Sequence, residues 1–364
     1  MHTTVNRHSE VVHPSTTISI DAMGGDLGPT AVIAGIVRAA KKNASIHFLL
    51  HGPSKHLEKL VSKRHSLSGR VTVIDSNEVV KMEDKPSHII RHGKETSMWS
   101  AIDSVRDGSA SVCVSCGNTG ALMALSMLRL RKLTGVNRPA IAILWPSSNP
   151  MGFNVMLDVG ADIRADAKDL LQYALMGVSY ARNGLGVTTP RVGLLNVGTE
   201  QHKGRNELKE AFSKIEQCQR EANFSFEGFV EGSDIPGSKV DVIVTDGFTG
   251  NVALKTGEGT ASLIGYLLRE AFKFSPLSML ASLLAYTSLN RLKMRIDPRR
   301  VNGGVFLGLN GTVVKSHGSA DATGIEAAIK LAFELSRNDF SQKVAARVAY
   351  AGAIDNDMHE DADK

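Results

Sequence analysis

The chain repeats one local pattern, in which a short apolar run ends in a glycine-containing turn and a segment with helical periodicity follows. In the first copy, residues 17–21 are the apolar run, residues 23–26 are the turn, and Pro29 suits the first turn of a helix. The apolar runs are nearly continuous rather than alternating, which indicates strands that are buried on both faces. Strands that alternate with helices predict an α/β fold with a mainly parallel sheet and helices on both of its faces.

No low-complexity linker or fixed-period repeat interrupts this pattern. A length of 364 residues predicts about two domains at roughly 150 residues each, although α/β folds often run longer as one domain. A hydrophobic fraction of 42% is ordinary for a protein with a large core. We therefore expect a flexible arm over residues 1–15, a single α/β domain over residues 16–350, and a polar tail over residues 351–364.

Composition narrows the classes of function. A formal charge of +5, scattered basic residues and an aromatic fraction of 5% give little support for a nucleic-acid surface, so we expect no nucleic-acid partner. Residues 1–15 are polar and predict no secretory signal, and no run reaches the ~18 apolar residues that a bilayer span needs, so we expect a cytoplasmic protein. Cys113 and Cys116 form one C-x-x-C spacing, which fits either a redox motif or two buried thiols.

The loops that follow the predicted strands form the candidate site, because ligands of open α/β sheets bind beyond the carboxyl ends of the strands. The loop at residues 21–26 has glycines before a helix, which favours an anion, but its aspartates repel phosphate and Asp26 could simply cap the helix. The loop at residues 115–120 can point successive N–H groups at one anion, although an ordinary strand-to-helix turn is the alternative, and no Walker Gly-Lys-Ser/Thr follows. Its candidate phosphate-binding residues are Gly117, Asn118, Thr119 and Gly120.

Later loops add polar candidates. Lys203 could neutralise a phosphate or a developing oxyanion, or be an ordinary solvated lysine. A further glycine turn offers Gly247, Thr249 and Asn251 as phosphate ligands, and Asn251 could equally be a helix cap. His317 follows a late apolar run, where a lone histidine is more often structural, and no Gly-x-Ser-x-Gly elbow accompanies it. The loops together predict a site for phosphate or another small anion.

Seven segments, in this order, resemble the bacterial phosphate acyltransferase family of phospholipid synthesis (acyl–acyl-carrier-protein:phosphate acyltransferase, PlsX). They are IDAMGGD at 20–26, KMEDKP at 81–86, VSCGNTGALMA at 114–124, DVGAD at 158–162, LLNVGTEQHKG at 194–204, DVIVTDGFTGNVALKTGEG at 241–259 and GLNGTVVKSHGS at 308–319. These segments span nearly the whole chain. No single match is decisive, but their joint order is highly specific.

The resemblance implies a fold similar to that of phosphotransacetylases and isocitrate-dehydrogenase-like enzymes, in a homodimer. It implies that inorganic phosphate attacks a fatty acyl thioester of acyl carrier protein and gives acyl phosphate and the free carrier. A membrane glycerol-3-phosphate acyltransferase would accept the product. This chemistry requires no metal, nucleotide or other cofactor.

Because phosphate is itself the nucleophile, the implied reaction needs no covalent enzyme intermediate. The protein has to hold a dianion beside the thioester carbonyl and stabilise the tetrahedral oxyanion. We hypothesise that Lys203 orients phosphate and offsets its charge, that the Gly-Asn-Thr-Gly loop forms the anion nest, and that Asn251 and His317 contact phosphate or the carbonyl oxygen. We expect Lys203→Ala to lower the rate by about two orders of magnitude or more.

Three positions depart from the family pattern. Cys116 stands where alanine is usual before Gly-Asn-Thr-Gly. Asp162 replaces the asparagine of Asp-x-Gly-Ala-Asn, which adds a negative charge near the expected site. Val305 and Phe306 replace a usual Ala-Pro pair. The last two departures bear on substrate preference rather than on the reaction.

Residues 274–296 predict a helical segment for contact with a membrane or between subunits. Its leucines fall on one helical stripe and basic residues follow, a combination typical of a helix that lies on a membrane surface. A core or dimer helix is the alternative, and the basic residues could instead dock the acidic carrier protein. The related enzymes associate peripherally with membranes, which favours membrane contact. The candidate contact residues are Leu277, Leu280, Leu284, Arg291, Arg299 and Arg300.

Three other functions compete with this one. They are a short-chain phosphotransacetylase that uses acyl-coenzyme A, a nicotinamide-dependent dehydrogenase on the related fold, and a non-catalytic membrane scaffold. No dinucleotide fingerprint supports the dehydrogenase. The Gly-Asn-Thr-Gly loop and Lys203 argue against the scaffold.

Overall fold

The computed structural model describes residues 16–296, 303–337, 343–344 and 346. The arm predicted over residues 1–15 and the tail predicted over residues 351–364 lie outside these residues, as do Arg299 and Arg300.

Strands and helices alternate along most of the chain, as the sequence predicts. The strands are β1 (Thr16–Asp21), β2 (Ile46–Gly52), β3 (Val71–Asp75), β4 (Val112–Ser115), β5 (Ala140–Pro146), β6 (Phe153–Leu157), β7 (Arg191–Leu195), β8 (Ser225–Val230), β9 (Val242–Val244), β10 (Gly304–Leu307) and β11 (Thr312–Lys315). The helices are α1 (Gly28–Lys42), α2 (Ser54–Val61), α3 (Pro86–His92), α4 (Ser97–Arg106), α5 (Thr119–Arg129), α6 (Ala167–Leu185), α7 (Asn206–Cys218), α8 (Gly247–Lys273), α9 (Pro276–Leu284), α10 (Tyr286–Ile296) and α11 (Ala322–Ser336).

The strands form one sheet in the order β3-β2-β1-β4-β11-β10-β5-β6-β9-β7-β8. The first five strands in this order pair in parallel, and we call them the β1 group. The last four also pair in parallel, and we call them the β6 group. Between the groups, β10 runs antiparallel to both of its neighbours, and β5 runs antiparallel to β6. The mainly parallel sheet is therefore confirmed, with reversals of direction where the groups meet.

Helices cover the sheet on both faces, which accounts for the continuous apolar strands. Helices α1 and α11 pack on each other, and α11 also contacts β1, β4 and β11. Helix α4 contacts β1, β2 and β4, while α6 packs on β6 and β9. The side chains of Tyr173 and Tyr180 in α6 are fully buried. Strands β4 and β9 are buried along their whole length, as predicted for strands covered on both sides.

Helices α8 and α9 and residues 286–292 of α10 have few buried residues for their length. Only Gly247 and Gly250 are buried in α8, and α9 has no buried residue. Phe274, Leu277 and Leu284 are 88%, 76% and 81% exposed. We call the exposed apolar residues between 263 and 292 the apolar arm. A search of the described helices finds none that combines the length and the apolar character needed to cross a bilayer.

Candidate active site

A cavity of about 420 Å³ is lined by residues from both strand groups. Its size is within the range of pockets that bind small molecules. Three residues predicted from separate loops, Thr119, Asn251 and His317, come together in its wall. The complete polar side-chain lining is Thr119, Trp145, Asn251, Lys255, Glu258, Lys315, Ser316 and His317.

Thr119 is the member of the predicted Gly-Asn-Thr-Gly nest that lines the cavity. The side chain of Asn118 is used locally instead. Its Oδ1 accepts the N–H of Ala121 at 3.0 Å and so caps α5, and its Nδ2 donates to the carbonyl oxygens of Met82 and Asp84 at 2.8 and 3.1 Å. Asn118 therefore fixes the loop, and Thr119 stands exposed at the N-terminus of α5, where an anion is stabilised.

A buried polar network supports this loop from below. The N–H of Gly117 donates to the Ser115 hydroxyl at 3.0 Å, and this hydroxyl donates to Asp21 at 2.7 Å. The Ser97 hydroxyl donates to the other oxygen of Asp21 at 2.7 Å. Burial raises the pKa of Asp21, and the hydrogen bonds from the two serines oppose that rise. The predicted loop of residues 21–26 thus contributes support rather than a cavity wall.

The start of α8 gives two of its predicted ligands structural contacts. Asp246 caps the helix, since its carboxylate accepts the N–H of Thr249 at 2.8 Å and the Thr249 hydroxyl at 3.0 Å. Gly247 donates its N–H to the carbonyl oxygen of Asp162 at 2.8 Å. Neither Gly247 nor Thr249 lines the cavity, whereas Asn251, slightly further along the helix, does.

His317 stands beside two charged residues of α8. His317 Nδ1 lies 2.8 Å from the Ser319 hydroxyl oxygen and accepts the N–H of Ser319 at 3.2 Å. Nε2 lies 3.4 Å from Lys255 Nζ and 4.0 Å from Glu258 Oε2. Burial, followed by the charge of Lys255, lowers the pKa of His317, which favours the neutral ring at pH 7. With its proton on Nε2, His317 could share one acceptor with Lys255, such as an anion oxygen.

Lys315 ends strand β11, where it stands beside Ser115 of β4 in the strand register. Its Nζ contacts the carbonyl oxygen of Cys116 at 3.4 Å and the carbonyl oxygen of Ser316. Among the described residues it forms no ion pair with a carboxylate, in contrast to Lys255, whose Nζ lies 2.9 Å from Glu258. Burial lowers the pKa of Lys315 to about 8.

The remainder of the cavity wall is apolar. Ile143, Leu144 and Trp145 of β5 and Leu254 of α8 line it. A Cβ atom at Gly257 would lie 2.6 Å from the Trp145 ring, so only glycine lets the ring pack this close to the helix. The cavity wall therefore contains both basic and apolar side chains.

Lys203 does not line this cavity. Its side chain is 44% exposed, and its Nζ lies 2.8 Å from Glu200 of the same loop. The neighbouring Gly204 and Arg205 line a separate depression of about 400 Å³, together with Thr249. The structure thus brings Thr119, Asn251 and His317 together but leaves Lys203 at a different surface.

The added charge of Asp162 is paired. Its carboxylate lies 2.8 Å from Arg138, and Asp162 is absent from the cavity wall. The carboxylate that fixes this loop is Asp158, which accepts the N–H groups of Asp162 and Ile141 at 2.7 and 2.8 Å. Burial raises the pKa of Asp158 to about 6. The other departures from the family pattern are buried, with Cys116 beside the cavity loop and Val305 and Phe306 in β10.

The C-x-x-C pair fits buried thiols better than a redox motif. Cys113 and Cys116 are both buried and unbridged. Burial raises the pKa of Cys116 to about 11 and that of Cys113 further, which disfavours the reactive thiolate. Over the described part of the chain, no group of three or more His, Cys, Asp or Glu side chains could hold a metal ion.

Sequence reasoning missed Lys255, Glu258 and Lys315. A signal for the first two was present, since Asn251, Lys255 and Glu258 follow an i, i+4, i+7 spacing that places them on one helical face. The contribution of Lys315 depends on the pairing of β11 with β4, which the local sequence does not reveal.

Comparisons with known proteins identify the family of this chain and its fold. A family model described as fatty acid synthesis protein matches residues 16–343. The chain is 70% identical to a phosphate acyltransferase of Ruegeria sp. (strain TM1040) over 96% of this chain and 93% of the relative. It is also 70% identical to a phosphate acyltransferase of Ruegeria pomeroyi over 93% of this chain and 92% of that relative.

A solved phosphotransacetylase from Streptococcus pyogenes has the same fold. It superposes with a TM-score of 0.59 at 16% sequence identity, and the match covers 89% of this chain and 94% of the other. The fold expected from the sequence is therefore confirmed.

Proposed function

This chain belongs to the phosphate acyltransferase family and is an acyltransferase, and from this premise we propose that it transfers a fatty acyl group from acyl carrier protein to inorganic phosphate. The observation that carries the proposal is the cavity itself, whose wall combines the basic side chains of Lys255, Lys315 and His317 with apolar side chains of β5 and α8. A basic region suits phosphate, and an apolar wall suits a fatty acyl chain.

The reaction balances without a cofactor. A phosphate oxygen attacks the thioester carbonyl carbon, and the tetrahedral intermediate expels the carrier thiolate. The proton of the phosphate ends on that sulfur, which leaves acyl phosphate and the free carrier thiol. The enzyme has to hold the dianion against the carbonyl and stabilise the oxyanion, which is a task of positioning and electrostatics.

We assign these tasks to the side chains in the cavity wall. In this assignment the neutral ring of His317 carries its proton on Nε2 and donates from it, and the lowered pKa of His317 favours the neutral ring. Asn251 and the Thr119 hydroxyl add neutral donors to phosphate or to the carbonyl oxygen. Lys203 remains a predicted catalytic residue, and it would have to reach the cavity by a movement of its loop.

The remaining proposed nest residues act through position. Gly117, Asn118 and Gly120 shape the loop that presents Thr119, while Gly247 and Thr249 begin the helix that presents Asn251. In this proposal their contribution to phosphate binding is to fix the two polar side chains that face the cavity.

We propose further that the apolar arm carries the enzyme to a membrane surface as a homodimer, where its product meets the membrane acyltransferase of phospholipid synthesis. Leu277, Leu280 and Leu284 are exposed over α9, and Arg291 is exposed in α10. Apolar residues followed by a basic residue are suited to an anionic interface. Replacing Leu280 and Leu284 with glutamate should abolish binding to anionic vesicles, whereas Ile163→Glu, at an exposed position outside the arm, should not. Unchanged binding of the double variant would refute membrane contact through α9.

The proposed reaction is tested by carrier release from palmitoyl–acyl carrier protein, with and without phosphate, while hydroxylamine traps acyl phosphate. We expect phosphate-dependent release and an equal amount of acyl hydroxamate. Palmitoyl-coenzyme A and acetyl-coenzyme A serve as matched donors that separate the chain from the carrier. Turnover of acetyl-coenzyme A alone would establish a short-chain phosphotransacetylase, and a folded protein without turnover of any donor would support a scaffold.

A further inference from the structure

We infer that Lys315 is the principal cation for the attacking phosphate, and that Lys255 and His317 donate to the same anion. The inference rests on the proposed function and deepens it. The pairing of β11 with β4, and not the pattern of glycine loops in the sequence, places Lys315 at the site. It assigns the main positive charge to Lys315 in the cavity wall rather than to the exposed Lys203.

Lys315 differs from Lys255 and Lys203 in the partners of its charged group. Lys255 has a carboxylate partner in Glu258 at 2.9 Å, and Lys203 has one in Glu200 at 2.8 Å. Lys315 contacts main-chain carbonyl oxygens and forms no ion pair among the described residues. A cation withdrawn from water without a counter-charge is costly, and a bound anion removes that cost.

Lys315 also lies next to the loop that carries Thr119. Ser115, Lys315 and Asp21 are neighbours in the register of β4, β11 and β1, so Lys315 extends from the strand ends on which the Thr119 loop is built. The carbonyl oxygen of Cys116, which Lys315 approaches at 3.4 Å, belongs to this loop. Lys315 and Thr119 both line the cavity.

The charge balance around Lys315 also favours the binding of an anion. The groups that act on it are Lys255 on α8, the thiol of Cys116 after β4, and Asp21 and Asp26 after β1. Asp21 is already bound by the two serine hydroxyls beneath the loop, and Asp26 is exposed. On its own loop His317 adds a donor, and across the cavity the single acid Glu258 pairs with Lys255. The wall therefore carries one more lysine than carboxylate.

A consequence is coupled proton uptake. The pKa of Lys315 lies near 8 in the empty cavity, because burial disfavours its charged form. A bound dianion favours the charged form, so the bound protein has a higher Lys315 pKa and holds more protons above about pH 8. Phosphate affinity should then fall by up to about tenfold per pH unit above that value.

The experiment is calorimetric titration of the full chain with inorganic phosphate at about pH 9, where phosphate is already a dianion, in two buffers of different ionisation enthalpy. The wild type should take up close to one proton per phosphate. Lys315→Arg, which keeps its charge at this pH, should bind phosphate with almost no uptake. Lys315→Met should weaken binding about tenfold to a hundredfold and abolish uptake.

Lys132→Met is the matched control, since Lys132 is exposed and also donates to a main-chain oxygen, that of Asn137 at 2.7 Å. It should leave affinity and proton uptake unchanged. Thermal unfolding verifies that each variant is folded. Wild-type affinity in folded Lys315→Met, or equal proton uptake in Lys315→Arg and the wild type, would overturn the inference.

The acyl phosphate assay distinguishes a failure of the Lys315 assignment from a failure of the proposed reaction. Formation of acyl phosphate with an unchanged KM for phosphate in Lys315→Met would reject the role of Lys315 and leave the proposed reaction intact. Lys315-dependent phosphate binding without acyl phosphate from any donor would reject the reaction and leave the anion site intact.

Discussion

Two loops of this protein offer a basic residue after a strand, and the structure treats them differently. The loop after β11, residues 316–321, follows Lys315 and carries His317, both in the cavity wall. The loop after β7, residues 196–205, carries Lys203 at an exposed surface with Glu200 as its partner. One loop thus presents a basic group to the cavity, and the other presents a basic group to the open surface.

The two loops also differ in what holds them. In the β11 loop, Ser316 N–H donates to the Ser115 carbonyl oxygen at 2.9 Å, and Asp26 N–H donates to the Gly318 carbonyl oxygen at 2.8 Å. The β7 loop is held partly by its own Asn196, which bonds the Lys203 carbonyl oxygen at 3.2 Å, and its Val197 is 80% exposed. A charge held by neighbouring strands needs little reorganisation during reaction, which is the condition for electrostatic catalysis.

The largest expected effect is at His317. His317→Ala should lower kcat for acyl phosphate formation by about a hundredfold to a thousandfold, because one preorganised donor is lost. The measurement is steady-state hydroxamate formation with saturating phosphate. His88→Ala is the control, since His88 is exposed on α3 and stacks on His92. A normal kcat in a folded His317→Ala protein would break the contrast between the two loops.

The next effect concerns the apolar wall that accompanies the β11 loop. Gly257→Leu should place its side chain where the Trp145 ring packs, and so shorten the space for an acyl chain. Each lost methylene contact is worth about 0.8 kcal/mol, so the ratio of palmitoyl to octanoyl turnover should fall by about tenfold.

The matched control for this substitution is Gly259→Leu in the same helix, where an added Cβ meets no neighbour. Both variants change helix propensity in the same way, so only contact with the cavity separates them. An equal effect of both variants on chain preference would contradict an acyl site between β5 and α8.

A smaller effect is expected at Lys203. The sequence alone predicts a loss of about two orders of magnitude for Lys203→Ala, while its exposed ion pair favours a loss below about tenfold, since such pairs contribute little. The ratio of kcat/KM for phosphate between Lys203→Ala and Lys315→Met decides between them. The full hundredfold loss would show that the β7 loop reaches the cavity during turnover.

The smallest effect on activity at neutral pH is in the polar layer beneath the β1 group. His51 is buried, its Nε2 lies 3.0 Å from the Ser19 hydroxyl, and burial lowers its pKa to about 4. The unfolded chain therefore binds more protons than the folded one between pH 6.5 and 4, and the free energy of unfolding falls as the pH drops through this range.

His51→Asn should remove this part of the pH dependence, which denaturant unfolding at several pH values measures. The shape of the pocket and the serine partners remain in the variant. An identical pH slope in both proteins would show that His51 is not the group that titrates.

The sequence anticipated the α/β architecture because each strand–turn–helix unit is encoded locally. It missed strands β8, β10 and β11, whose place in the sheet depends on partners distant in the chain. The antiparallel β10 has no local signature, yet it is the strand between the Lys315 strand and β5. The fold class could thus be predicted from the sequence, whereas the antiparallel junction of the two strand groups could not.

The site was only partly readable for the same reason. Thr119 and Asn251 were predicted because they lie in glycine turns, His317 was proposed only after the family resemblance, and all three line one cavity. Asn118 and Thr249 have the same sequence signal but take part in helix capping. Capping and ligand binding use the same residue types at a helix N-terminus, and only packing separates the two uses.

The most direct test of the account is a crystal structure of the enzyme soaked with arsenate, a phosphate analogue whose anomalous scattering locates the anion. The account predicts a peak in the cavity, within hydrogen-bond distance of Lys315 Nζ and His317 Nε2. A peak beside Lys203 with none in the cavity would contradict it.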